Sequence, residues 1–466
     1  MAAYFIKTAE LPKDAVVTPI HICRPSGAEA LLENLTSTQQ NYAKAHDFKG
    51  SAGQAVLVPG EDGHVGQVLF GAGKDNGFAG SALRVGSLAE RLSEGLYNIA
   101  SAPEGWDAPL MATAWGLGAY KFTKYLKNGH KPPTLVLGGD MAADETDALV
   151  TAIARGRDMI NTPPSDMGPV AMFDMANTVA KSHGADVTQI VGDDLLEQNY
   201  PMIHAVGRAA HEAPRLIEIE WGDDAHPRLA LVGKGITFDT GGLDIKSAAG
   251  MRIMKKDMGG AAHALALADM IMANNLPVRL HVLLAVAENS ISANAFRPSD
   301  VLSSRKGLTV EIDNTDAEGR LVLGDALTRA SEDNPDLIID FATLTGAARV
   351  ALGPTLAPFF SNRDEPVAGL LASGTKQLDP FWHMPLWDPY MSLLSSPIAD
   401  MKNSGSSFAG AVTAALFLQK FIGEDQAWMH FDVYGWNPTA SPAHPKGGEM
   451  FTLRAIYHWL KNGGLN

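Results

Sequence analysis

Residues Asn314 to Leu321 read Asn-Thr-Asp-Ala-Glu-Gly-Arg-Leu, placing two carboxylates and a guanidinium at alternate positions. On an extended backbone such positions share one face, whereas in a helix Glu318 would point away from the other two. The spacing therefore predicts an extended segment on which Asp316, Glu318 and Arg320 converge. A solvated loop has no need of that pattern, but an anion-and-metal site does. A second unusual stretch, Gly233 to Lys246, reads Gly-Lys-Gly-Ile-Thr-Phe-Asp-Thr-Gly-Gly-Leu-Asp-Ile-Lys. It follows Leu229-Ala230-Leu231-Val232, an apolar run expected to be a buried strand. Its glycines let the backbone turn sharply or approach something closely. A third piece, Lys255-Lys256-Asp257-Met258-Gly259-Gly260, precedes a helix-like run from Ala261 to Met272.

Together these pieces offer the carboxylates of Asp239, Asp257, Asp316 and Glu318, with Lys234, Lys246 and Arg320 as cations. Four carboxylates forced together repel and resist ionisation. Two divalent cations would neutralise them. Oxygen-rich ligation with one nitrogen suits zinc, manganese, cobalt or magnesium better than copper or an iron–sulfur cluster. Each residue alone has a plainer reading. Lys246 could be a solvated side chain, Asp257 a helix cap and Met254 part of the core. The joint pattern favours a metal centre. No histidine lies in the three clusters, so a proton shuttle must come from elsewhere.

On these motifs the chain resembles the leucine aminopeptidases of the cytosol aminopeptidase family, which are dinuclear metallopeptidases. Asn314 to Leu321 matches that family's signature octapeptide, Val232 to Gly242 its lysine–aspartate metal segment, and Asp340-Phe-Ala-Thr-Leu-Thr-Gly-Ala347 its substrate-side loop. Weaker similarity runs from Arg155 to Asp432. The resemblance implies that Asp239 and Glu318 bridge two metals. Lys234 and Asp257 would complete the tighter site, and Asp316 the more exchangeable one. A lysine ligand must be neutral, which burial beside a dication favours. Two metals about 3.5–4 Å apart could share a hydroxide as the nucleophile. Lys246 would polarise the scissile carbonyl and stabilise the oxyanion. Arg320 would hold a bicarbonate acting as general base. Met254, Asn314, Thr343, Leu344 and Gly346 match positions lining the substrate site. Met254 suits aliphatic side chains.

The implied function is a metal-dependent aminopeptidase that releases N-terminal leucine or similar apolar residues from small peptides with a free N-terminus. Its cofactors would be two divalent ions, zinc or manganese, with cobalt or magnesium as further candidates, and bicarbonate at Arg320. By analogy with its relatives the resemblance implies a homohexamer. The alternatives are a two-metal hydrolase of another ester class, such as phosphate esters, or a non-catalytic scaffold of the same fold. Ser441 to Glu449 departs from the family's small-residue loop, which bears on residue preference.

The elements that must position these residues follow from the rest of the chain. At 466 residues it is too long for one ordinary core. Its hydrophobic content of 46% marks it as globular. A net charge of −15 argues against nucleic acid as the main partner. Cys23 is the only cysteine, so neither an internal disulfide nor a thiolate metal site can form. The first ten residues lack a basic start followed by a long apolar stretch, and no run reaches the about 20 apolar residues of a membrane helix. A cytoplasmic location is expected.

Strand patterns at 55–59 and 134–138, with helical patterns at 81–96 and 110–126, predict a small N-terminal α/β domain, macro-like by resemblance, over residues 1–140. A linker helix is expected over 141–162, stopped by Thr162-Pro163-Pro164. Residues 163–466 are expected to form the catalytic α/β domain. Apolar runs at 229–232, 278–286, 308–312 and 337–341 alternate there with helical stretches, implying a central mixed sheet between helices. There is no phosphate-binding glycine loop, and Gly405 to Ala409 misses a serine elbow because alanine replaces the last glycine. Trp428 and His430 are read as core and loop support.

Overall fold

The computed structural model describes residues 4–127, 129 and 131–465. The chain divides into two compact units, residues 1–154 with 439–446, and residues 155–438 with 447–466. The first is built on a six-stranded mixed sheet in the order Phe5–Lys7, Thr134–Leu137, Leu96–Ser101, Val17–Cys23, Val65–Gly71, Ala55–Pro59. Its neighbours are parallel except the last pair. Parallel pairing requires crossovers, which include the helices Ser37–Ala45 and Ala108–Ala119. The long helix expected over 81–96 does not form. Only a turn and Val85–Ala89 are helical, and Leu96–Ser101 is a central strand. Strand pairing on both sides claims Leu96, the last residue of the expected helix.

The second unit is larger. Its eight-stranded mixed sheet runs Phe381–His383, Ala357–Ser361, Trp428–Asp432, Leu337–Ala342, Arg228–Asp239, Arg279–Asn289, Arg215–Trp221, Asp186–Val191. The four strands from Trp428–Asp432 to Arg279–Asn289 are parallel. They are apolar almost throughout because both faces are covered. Gly233 and Lys234 show how. A β-carbon on Gly233 would lie 2.5 Å from Ala261 of the helix Gly259–Ala273, which seals that face. Lys234 points to the other face, where its side chain meets Gly319 at the start of the helix Gly319–Glu332. On that side Val232, Ile338 and Phe360 pack with Leu323, Leu327, Leu416 and Phe417 in one core.

The run at 308–312 is not a central strand. Thr309–Glu311 belongs to a separate three-stranded sheet with Val301–Ser303 and Met401–Lys402. That small sheet anchors the start of the Asn314–Leu321 segment.

Candidate metal centre and substrate site

Both Lys234 and Asp239 belong to the strand Arg228–Asp239. Five residues apart, they would face opposite ways on a regular strand. The pairing with Arg279–Asn289 is irregular, however. Ile236 pairs with Ala287 and Asp239 with Asn289, so three steps on one strand match two on the other. The extra residue reverses the alternation and turns Asp239 back to the side of Lys234. Beyond the strand, Gly241 and Gly242 have φ of 89° and 65°, and the chain doubles back so that Lys246 N–H donates to the Thr240 carbonyl at 2.9 Å. This return brings the Lys246 ammonium to Asp239.

The second carboxylate pair is presented differently from the sequence expectation. Asn314 to Glu318 is a turn and not an extended segment, and Arg320 already lies in the helix Gly319–Glu332. The Asn314 side chain accepts from the Asp316 N–H at 2.8 Å, and the Ala317 N–H bonds the Asn314 carbonyl at 3.3 Å. Such local bonding by an asparagine side chain competes with extended structure. Glu318 has helical backbone angles of φ −76° and ψ −30°. Asp316 and Glu318 therefore converge through a turn. Gly319 is a glycine for a steric reason, since a β-carbon there would lie 2.5 Å from Lys234 Cε. Asp257 sits in the short 3-10 helix Met254–Met258, which leads into Gly259–Ala273.

These elements gather Lys234, Asp239, Lys246, Asp257, Asp316 and Glu318. Lys234 Nζ is 2.7 Å from Asp257 Oδ2 and 3.1 Å from Glu318 Oε1. Lys246 Nζ is 2.8 Å from Asp239 Oδ2 and also pairs with Asp316. Carboxylate oxygens of Asp239, Asp316 and Glu318 lie within 4.8 Å of one another, a spacing able to hold a metal ion. Four carboxylates face Lys234 and Lys246, with Lys256 at 3.7 Å from Asp257, so carboxylates still outnumber ammonium groups. Burial, then the neighbouring Asp239, pushes the Glu318 carboxyl up to about 8, against the pull of Lys234. Burial and Asp239 likewise raise Asp316 to about 6, against Lys246. Burial disfavours the Lys234 ammonium, yet Asp257, Glu318 and Asp239 outweigh it and hold its pKa above the ordinary value. Carboxylates resisting ionisation this strongly fit a site whose charge is completed by bound dications.

Neutral residues hold this array in place, and the sequence reading did not find them. Asn289 is fully buried and donates to Asp239 Oδ1 at 2.9 Å and to the Thr315 carbonyl at 3.1 Å. Thr315 Oγ1 donates to the Gly241 carbonyl at 2.6 Å, and Asp244 accepts from the Thr315 N–H at 2.8 Å. Asn403, also fully buried, accepts from the Asp313 N–H at 2.8 Å and donates to the Asn314 carbonyl at 2.7 Å.

Among the expected substrate residues, Thr343 Oγ1 donates to Asp257 Oδ1 at 2.7 Å, and its carbonyl accepts from Lys234 at 3.3 Å. Leu344 N–H donates to Asp432 Oδ1 at 3.0 Å, fixing the loop that Gly346 ends by opening a helix. Met254 is half-buried at the start of the Asp257 turn. Arg320 is 8% exposed; its guanidinium lies 5.9 Å from the Phe417 ring and pairs with no carboxylate among the described residues. Its buried Nε has no hydrogen-bond partner. Burial pulls its pKa down to about 10, opposed by Glu318 and Asp432. Trp428 and His430 both bind Asp340, at 2.6 Å each, inside the core.

The profile described as "Cytosol aminopeptidase family, catalytic domain" matches residues 154–457, and "M17 aminopeptidase, N-terminal domain" matches residues 18–138. A probable cytosol aminopeptidase from Corynebacterium glutamicum is 37% identical over 465 residues, covering 95% of this chain and 91% of the relative. The crystal structure of cytosol aminopeptidase from Coxiella burnetii superposes with a TM-score of 0.91 at 42% identity, covering 98% of this chain and 99% of that one. The bottromycin maturation enzyme BotP, solved in complex with Mn, gives 0.86 at 29% identity over 97% of this chain and 100% of its own.

Proposed function

The chain belongs to the cytosol aminopeptidase family, whose members are metal-dependent leucyl aminopeptidases, and on that premise we propose how its own residues perform the reaction. The observation that carries the reading is the largely buried array of four carboxylates and two lysines. Lys234, Asp239, Asp257, Asp316 and Glu318 would hold two divalent ions, manganese or zinc. Bound there, such ions supply Lewis acidity and an ionised water near neutral pH. Lys234 would act as a ligand after losing its proton. The peptide's free amino terminus, a neutral amine, would be recognised in the same array, which accounts for removal of single N-terminal residues.

Lys246 is placed to act on the scissile carbonyl. It reaches Asp239 and Asp316 from the loop after the strand, and 14% of its side chain is exposed. Donation from its ammonium to the developing oxyanion would stabilise the transition state more than the substrate. Arg320 would hold bicarbonate as the general base. The support is a buried guanidinium without a carboxylate partner, a group that invites a small planar anion. Asn314, Thr343 and Gly346 would meet the peptide backbone. Met254 and Leu344 would give an apolar wall for leucine or similar side chains.

Equilibrium dialysis against manganese tests the metal reading. Two ions per chain are expected, with loading weakened by at least about tenfold in Glu318→Gln. A single ion per chain, or unchanged loading in the variant, would contradict it.

A further inference from the structure

Lys255 and Lys256 directly follow Met254, and each lies against an aromatic ring from the segment after the Trp428–Asp432 strand. Lys255 Nζ is 5.7 Å from the Trp436 ring centre and Lys256 Nζ 5.2 Å from that of Tyr434. Lys255 donates to the Asn161 carbonyl at 2.6 Å. Lys256 is 5% exposed, its nearest carboxylate oxygen is Asp257 Oδ1 at 3.7 Å, and it makes no hydrogen bond among the described residues. Arg349, three residues after Gly346, adds another cation. Its guanidinium lies 5.1 Å from the Tyr434 ring centre and its Nη1 donates to the Tyr434 hydroxyl at 3.2 Å. Arg349 pairs with no carboxylate among the described residues.

Asp432 makes no ion pair with these cations among the described residues; its oxygens accept from Leu344 N–H, Thr345 N–H and Thr345 Oγ1. Lys256 has only the one longer ion pair with Asp257, and a largely buried ammonium gains when a further anion joins it. The cluster also borders the residues read as substrate-lining. Lys256 shares a turn with Met254, and Thr343 Cγ2 would lie 3.1 Å from a β-carbon on Gly435, next to Tyr434.

We propose that Arg349, Tyr434 and Lys256 form a subsite for a substrate carboxylate. The guanidinium fork and phenol hydroxyl suit a carboxylate's two oxygens. This rests on the aminopeptidase reading. The carboxylate could be the side chain of an N-terminal aspartate or glutamate, or the terminal carboxylate of a very short peptide.

The test compares kcat/KM for matched substrates in the manganese-loaded enzyme. Glutamyl- against glutaminyl-p-nitroanilide isolates a side-chain carboxylate. Leucylglycine against leucylglycinamide isolates a terminal one. Arg349→Gln is expected to lower the acid-to-amide ratio at least about tenfold in one pair, and Tyr434→Phe to lower the same ratio by less. Arg349 is exposed, so the fold should tolerate its loss. If neither variant moves either ratio by as much as twofold, the subsite is overturned. If the unaltered enzyme hydrolyses no free-amine substrate at all, the aminopeptidase reading fails instead.

Discussion

Lys246 and Arg320 illustrate what residue type can and cannot reveal. Both are cations in metal-site motifs, but only Lys246 reaches the carboxylates, while Arg320 is buried over Phe417. Their proposed roles differ accordingly, one on the carbonyl and one on an anion. Lys246→Gln keeps much of the side chain and removes its charge. It is expected to lower kcat by about 10²-fold or more while two manganese ions still bind. A fall in kcat of less than about threefold, measured with leucyl-p-nitroanilide, would remove Lys246 from the chemistry. The charged members of the array were legible because four carboxylates with two lysines in three short motifs need a compensating partner. Asn289, Thr315 and Asn403 were not legible. A neutral side chain at a strand end or turn has many ordinary uses, and only tertiary pairing shows what it binds.

At the scale of elements, the array depends on one irregular strand and one turn. The bulge before Asp239 sets which face that carboxylate occupies, and no local sequence pattern announces a register shift. The Asn314–Glu318 segment is a turn and not extended; alternate spacing of charges fits both a strand and a turn closed by an asparagine side chain. Asn403 ties this turn to the small sheet through Asp313, Asn314 and Ala317. Asn403→Ala leaves buried main-chain groups unpaired and should destabilise the protein by about 2–3 kcal/mol. It should also weaken manganese loading, although Asn403 touches none of the proposed ligands. Denaturant unfolding and dialysis of the same sample would check both effects, and a variant equal to the parent in each would show that the turn holds itself. The glycines tell a similar story. Gly233 and Gly319 are small because a helix and Lys234 pass close by, whereas Gly241 and Gly242 truly require positive φ.

For the whole molecule, composition and alternating patterns were enough to foresee a small α/β unit and a larger one with a mixed sheet between helices. The route of the chain was less legible. Residues 439–446 belong with the N-terminal unit, while Gly447–Gly448 pairs with Trp436–Asn437 and Glu449 forms a buried ion pair with Arg157 at 2.8 Å. Such long-range choices are settled by packing partners hundreds of residues away. Among the described residues no helix is long and apolar enough to cross a membrane. The central claim is that a free amino terminus and bound divalent metal are both required for turnover. The measurement that tests it is hydrolysis of leucyl-p-nitroanilide and its N-acetyl counterpart by chelator-treated protein as manganese or zinc is added back. No turnover is expected without metal, with recovery saturating near two ions per chain and no turnover of the acetylated substrate at any metal level. Full activity in the chelated protein, or equal hydrolysis of the two substrates, would contradict it.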